Sequence, residues 1–151
     1  MFRLQAKAIF LLSICFSLIS CKQAKSPMNT TLIELLGGDS AMKNNQIKAC
    51  LVIPRAGCTG CIAEALLYAK EKVDYMKYSK VILTDISDRK LIALQAGSDF
   101  MKHRNVILDS ANSLLSSFSS AYPKVYYFDD LMNIEKEVDF NPLSTDLMRL
   151  K

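Results

Sequence analysis

Residues Ala49-Cys50-Leu51-Val52-Ile53-Pro54 form an unbroken apolar run, and four residues beyond it stands Cys58-Thr59-Gly60-Cys61. The run, read as a strand over 47–54, lacks the alternation of a strand with one wet face. It therefore predicts a strand covered on both sides. The pattern changes directly after the cysteines. Ile62, Ala65, Leu66, Ala69, Val73 and Met76 recur at helical spacing, with Glu64, Lys70, Glu71 and Lys72 elsewhere on the helix. A doubly covered strand turning into a helix excludes an all-helical bundle and points to a layered α/β fold. A C-x-x-C pair at such a junction can open and close a disulfide.

The rest of the chain repeats the alternation. Thr31-Leu32-Ile33-Glu34 has capping-box spacing before Leu35-Leu36, and Gly37-Gly38 marks a stop, so a short helix is expected there. Residues 80–86 read as a second strand. Ser87-Asp88 caps a helix through Leu91, Ile92, Leu94 and Ala96, stopped by Gly97. Residues 105–109 read as a third strand, and the serine-rich stretch 110–121 as a helix through Leu114, Leu115 and Phe118. Residues 124–129 and 134–140 are close enough to make an antiparallel hairpin, and 142–150 read as a terminal helix. The expected fold is α/β: a central mixed sheet, mostly parallel with an antiparallel edge and helices on both faces. In open sheets of this kind function gathers at the carboxyl ends of the strands, where the C-x-x-C falls.

The N-terminus reads as an export signal. Arg3 and Lys7 supply a positive start, and Ala8 to Ile19 an apolar stretch too short for a confident membrane span. It ends in Leu18-Ile19-Ser20-Cys21, which resembles the bacterial lipobox. The resemblance implies cleavage before Cys21 and lipidation of that residue, with several acyl chains giving a stable anchor. The expected organisation is a signal peptide over 1–20, a polar tether over 21–30 and one domain over 31–151. Localisation in the cell envelope follows, on the periplasmic face or at the outer membrane; Lys22 favours outer-membrane sorting under the enteric rule. Of five cysteines, Cys50, Cys58 and Cys61 remain for the domain. An adjacent pair outside the cytoplasm tends to oxidise unless something reduces it. Cys50, inside the apolar run, is expected to be buried and inert.

Loss of Arg3 and Lys7 lowers the basic residues from 19 to 17 against 15 acids, a net charge of +2. That balance, the absence of a basic run and the lack of Trp give no sign of nucleic-acid binding.

The pair after a strand, together with Tyr122-Pro123-Lys124-Val125-Tyr126-Tyr127-Phe128 before the hairpin, resembles the thioredoxin superfamily. The extra elements over 105–121 make the TlpA-like (redoxin) branch of membrane-tethered reductases the nearer likeness. The resemblance spans roughly residues 45–140. It implies a thiol–disulfide oxidoreductase acting on protein thiols and disulfides as a reductant or isomerase, needing no cofactor and no metal, with a membrane electron donor as a further partner. It implies a cis Pro123 packed against the pair, and a groove in which Tyr122 and the backbone around Pro123 meet substrate. Glu64, three residues after the second cysteine, matches a glutamate that some TlpA-like reductases carry. The departures are Gly57 where an aromatic residue is usual, Thr59-Gly60 where proline is common, and apolar residues such as Val52 in place of a buried acid.

The chemistry divides between the thiols. Cys58, at the first helical turn, lies beside free N–H groups and the positive end of the helix dipole, which favour its thiolate. Arg55 stands three residues earlier and adds positive charge if turned inward. Cys61, one turn deeper, is the resolving thiol, and Glu64 the acceptor of its proton. Two other classes remain open: a non-catalytic thioredoxin-like module that holds a partner protein, and a copper(I) carrier using Cys58, Cys61 and His103. Copper-delivery relatives use a wider cysteine spacing, and a tetrahedral zinc site lacks a second cysteine pair.

Overall fold

The computed structural model describes residues 26–38, 47–86, 89–145 and 147. The segment read as an export signal and Cys21 lie outside the described residues. The sheet has five strands: β1 (Ala49–Pro54), β2 (Ser79–Thr84), β3 (Val106–Leu108), β4 (Lys124–Phe128) and β5 (Ile134–Asp139), in the order β3-β2-β1-β4-β5. The first three are parallel; β4 runs against β1, and β5 against β4. All six residues of β1 are buried, because it has a strand on each side and a layer on each face. The edge strand β5 carries Glu135, Lys136, Glu137 and Asp139, charges that discourage pairing with another chain.

Alternation along β1 sorts the core into two layers. Ala49, Leu51 and Ile53 face Ala65 and Ala69 of α2 (Thr59–Lys72), the 3-10 turn at Val73–Tyr75, Ile92 and Ala96 of α3 (Arg89–Ala96), and Phe100 of α4 (Ser98–Met101). Cys50 and Val52 face Leu32, Ile33 and Leu36 at α1 (Pro27–Leu35), with Leu114 and Phe118 beside them. Helices thus cover both faces, as expected, with α2 and α3 side by side on the same one. Asn105 closes the far end of that layer: its buried amide donates to the carbonyls of Val73 (3.1 Å) and Met76 (2.8 Å).

Several expectations are corrected. Helix α1 starts at Pro27, inside the segment read as tether. Ser26 caps it, its hydroxyl accepting from the N–H of Asn29 at 3.2 Å. Proline suits the first helical position, which displaces the Thr31 box. Thr31 lies mid-helix, donating to the carbonyl of Pro27 at 3.1 Å. The glycine stop stands: Gly37 and Gly38 have positive φ, and the N–H of Gly38 reaches back to Ile33 at 2.8 Å. Residues 110–121 make turns rather than a helix. Asp109, fully buried, accepts from the hydroxyl of Thr84 (2.8 Å) and the N–H groups of Ser113 (2.8 Å) and Leu114 (2.9 Å). Asn112 sits at φ 54° between them. Side-chain acceptors outcompete the helical pattern here, while Leu114 and Phe118 still reach the core. The short α4 after Gly97 was not expected. Residues 142–144 form a turn; 146 and 148–151 lie outside the described residues, as does the Ser87-Asp88 cap.

Candidate redox site

The carboxyl end of β1 leads into the site through fixed backbone contacts. The N–H of Arg55 donates to the carbonyl of Thr84 at 3.2 Å, continuing the β1–β2 pairing by one step. Gly57 then takes φ 138°, and a Cβ there would overlap the backbone of Ala121. Only glycine meets both demands. This is the physical reason for the departure at Gly57: the chain segment before β4 lies where a side chain would project. The approach brings the N–H of Cys58 to the carbonyl of Ala121 at 2.8 Å.

Cys58 is the N-cap of α2. Its backbone is extended (φ −66°, ψ 98°), its carbonyl accepts from the N–H of Ile62 at 2.9 Å, and its sulfur accepts from the N–H of Cys61 at 3.4 Å. A sulfur in the capping position has the place usually held by a serine or aspartate oxygen. Negative charge is favoured there by the N–H and by the helix dipole. Cys58 and Cys61 form a disulfide with Cα atoms 5.3 Å apart, and both residues are half-buried. The pair is closed, half-buried and set at the cap of α2.

The fold is thioredoxin-like. The strand order, the antiparallel hairpin after Pro123 and the cysteine pair between the central strand and α2 carry that statement. No family model matches the chain, and no curated protein does. Among solved structures, a candidate thioredoxin from Neisseria meningitidis is similar at 22% identity, over 66% of this chain and 69% of that one, with a TM-score of 0.43. The exposed lipoprotein thioredoxin Etrx1 of Streptococcus pneumoniae is similar at 13% identity, over 66% of this chain and 80% of its own, with a TM-score of 0.41.

Within this thioredoxin-like frame the remaining candidates fall in different places. Glu64 is exposed on α2, one turn past Cys61. Pro123 is fully buried and Tyr122 is 52% exposed. The Tyr122–Pro123 bond is trans, since no peptide bond among the described residues is cis, which corrects the expected cis proline. The backbone around Pro123 has partners inside the chain. The carbonyl of Ala121 accepts from Cys58, both backbone groups of Tyr122 bond the hydroxyl of Ser120 (3.0 and 3.1 Å), and the carbonyl of Pro123 accepts from Phe140 at 2.8 Å.

His103 does not join the pair. Its Nε2 lies 3.1 Å from a carboxylate oxygen of Asp74, and its Nδ1 accepts from the N–H of Asn105 at 3.1 Å. Asp74 follows the end of α2, whose fourteen residues place it about 20 Å from the cysteines. Among the described residues no group of three or more His, Cys, Asp or Glu side chains is placed to hold a metal ion. Cys50 is fully buried in the other core layer, and burial pushes its thiol far above the ordinary range. Sequence reasoning missed Ala121 and Ser120 as partners of the site and Asp109 as the anchor of the segment that carries them. No local pattern marks the first two. An aspartate ending an apolar strand before a serine-rich stretch was the available sign of the third.

Proposed function

We propose that this chain is a lipid-anchored thiol–disulfide oxidoreductase of the cell envelope, acting on protein disulfides as a reductant or isomerase. The observation that carries the reading is the sulfur of Cys58 in the N-cap of α2, with the N–H of Cys61 directed at it. In the reduced protein the Cys58 thiolate attacks one sulfur of a substrate disulfide. A mixed disulfide forms and the other substrate sulfur leaves as a thiol, taking one proton. Cys61 gives its proton to Glu64 or to water and attacks Cys58. The second substrate thiol leaves, and the Cys58–Cys61 disulfide remains. Two electrons and two protons pass from the dithiol to the substrate. A membrane-bound electron donor would restore the dithiol.

Anchoring at Cys21 is supported by the lipobox-like tetrapeptide. Among the described residues no helix is long and apolar enough to cross a membrane. The TlpA-like assignment is supported by β3, the strand of the expected insertion over 105–121, whose helix is replaced by turns, and the reductant direction follows from that assignment. Glu64 as proton acceptor, and Tyr122 with Pro123 as substrate contacts, belong to the same proposal.

The test is trapping. Cys61→Ser should accumulate mixed disulfides with envelope proteins, and Cys58→Ser should not. Full function in Cys58→Ser with no trapped partner would replace the enzyme reading by a binding module.

A further inference from the structure

One face of α2 remains unaccounted for. Thr59, Ile62, Ala63, Leu66, Leu67 and Lys70 form a stripe at helical spacing that faces Gln95 of α3 across a groove of about 370 Å³. The groove is floored by a narrower cleft lined by Ile53, Leu83, Ile92 and Ala96, the core at the carboxyl ends of β1 and β2. Arg55 borders both. The groove begins at the redox pair, since Thr59 lies between the two cysteines and Ile62 follows the second. Among the described residues that line it, the charged ones are Arg55 and Lys70, while Glu64 and Glu71 of α2 lie off the stripe. Leu67 is 59% exposed along it.

The other face of the sheet differs. A cavity there is lined by Met28, Ser117–Ser120, Lys124, Tyr126 and Glu137, and the ammonium of Lys124 is paired with Glu137 and Asp139. The backbone groups that an incoming strand would use near Pro123 are bonded within the chain.

We propose that the groove between α2 and α3 is the docking site for the polypeptide that presents its disulfide to Cys58, and that it selects segments with an apolar side chain and a carboxylate near the cysteine. The inference rests on the thiol–disulfide reading and names its substrate class. Spacing makes it specific. Leu66 and Lys70 lie about 12 and 18 Å from Cys58 along the helix. An extended chain covers these spans in roughly four and five residues. The apolar residue therefore belongs within about four positions of the substrate cysteine, and the carboxylate at about five.

The experiment uses the reduced mature protein and two disulfide-linked peptide homodimers. In one, leucines and glutamates stand at the stated spacings on both sides of a central cysteine; in the other, serines and lysines replace them. The first should be reduced about tenfold faster or more, from apolar burial and charge together. Lys70→Glu should reduce the advantage about fivefold and Leu67→Asp by a similar factor. Neither variant should alter reduction of the small neutral hydroxyethyl disulfide. Equal rates for the two peptides, or an advantage untouched by Lys70→Glu, would overturn the proposal. A protein that reduces neither peptide nor hydroxyethyl disulfide would fail the redox reading instead. The groove is then judged by fluorescence anisotropy of the leucine–glutamate peptide with its cysteine changed to serine. Binding that is weakened several-fold by Lys70→Glu would uphold docking, and no binding would end it.

Discussion

Cys50 and Cys58 stand eight residues apart on one strand and the turn that follows it; each sulfur takes a backbone N–H, from Tyr126 and from Cys61, yet burial and the helix end set their surroundings apart. Cys50 lies near the start of β1 with a strand on each side and α1 packed above it. Low-polarity burial disfavours its thiolate. Cys58 lies where the strand has ended and a helix begins, half-buried, with an N–H on its sulfur. The difference teaches that reactivity here comes from the junction rather than from the residue. The same side chain is core filling in the strand and, in the proposed reaction, the nucleophile at the cap.

The largest expected effect tests that contrast directly. In the reduced native protein, iodoacetamide should label Cys58 faster than Cys50 by at least about a thousandfold near neutral pH. Labelling of Cys50 should require denaturant. Comparable native rates, read by peptide mass spectrometry, would erase the contrast. Gly57→Ala sharpens the junction side. It adds a Cβ into the backbone of Ala121 at a left-handed φ. It should cost about 2–4 kcal/mol in denaturant unfolding of the oxidised protein. A cost under about 0.5 kcal/mol would mean that the contact with Ala121 does not hold the turn.

Cys50→Ser sharpens the strand side, placing a hydroxyl where the thiol packs among apolar neighbours. A destabilisation of about 1–3 kcal/mol is expected, with the rate of disulfide exchange unchanged. A changed rate at equal folding would tie Cys50 to the reaction. The smallest effect concerns Lys124, paired across the sheet with Val52 of β1. Its hydrogen bond to Glu137, with the charges of Glu137 and Asp139, raises its pKa despite some desolvation. The folded value lies above the unfolded one, so the stabilisation is complete below the ordinary lysine pKa and is lost as pH rises through the raised folded value. Lys124→Met should cost under about 1 kcal/mol at neutral pH, with the difference from wild type closing in strongly alkaline solution. A difference that grows with pH would reverse the sign and contradict the pairing.

Much of the frame was legible because its signals are local. The apolar run of β1, the stripe of α2, the turn between β4 and β5, and the glycines after α1 and α3 each report their own conformation. The rest depended on partners distant in sequence. The segment 110–121 has a helical stripe in Leu114 and Phe118, but Asp109 holds its first N–H groups and Thr84 fixes Asp109. Helix α1 was expected from Thr31, whereas Ser26 and Pro27 set its start. The copper alternative needs His103 beside the cysteines, whereas His103 lies against Asp74, beyond the far end of α2. Gly57 was noticed as a departure, but its reason, the backbone of Ala121, lies 64 positions away in the chain. The two cysteines were found from sequence, while the contacts that orient them were not.

The central claim is that Cys58 is the activated thiol of a cycling pair. It is tested most directly by the pH dependence of alkylation in Cys61→Ser, where Cys58 stands alone at the helix cap. The account predicts an inflection well below the free-thiol value of about 8.5, and its absence in Cys58→Ser. An inflection at or above that value in Cys61→Ser, or the low one in Cys58→Ser, would contradict it.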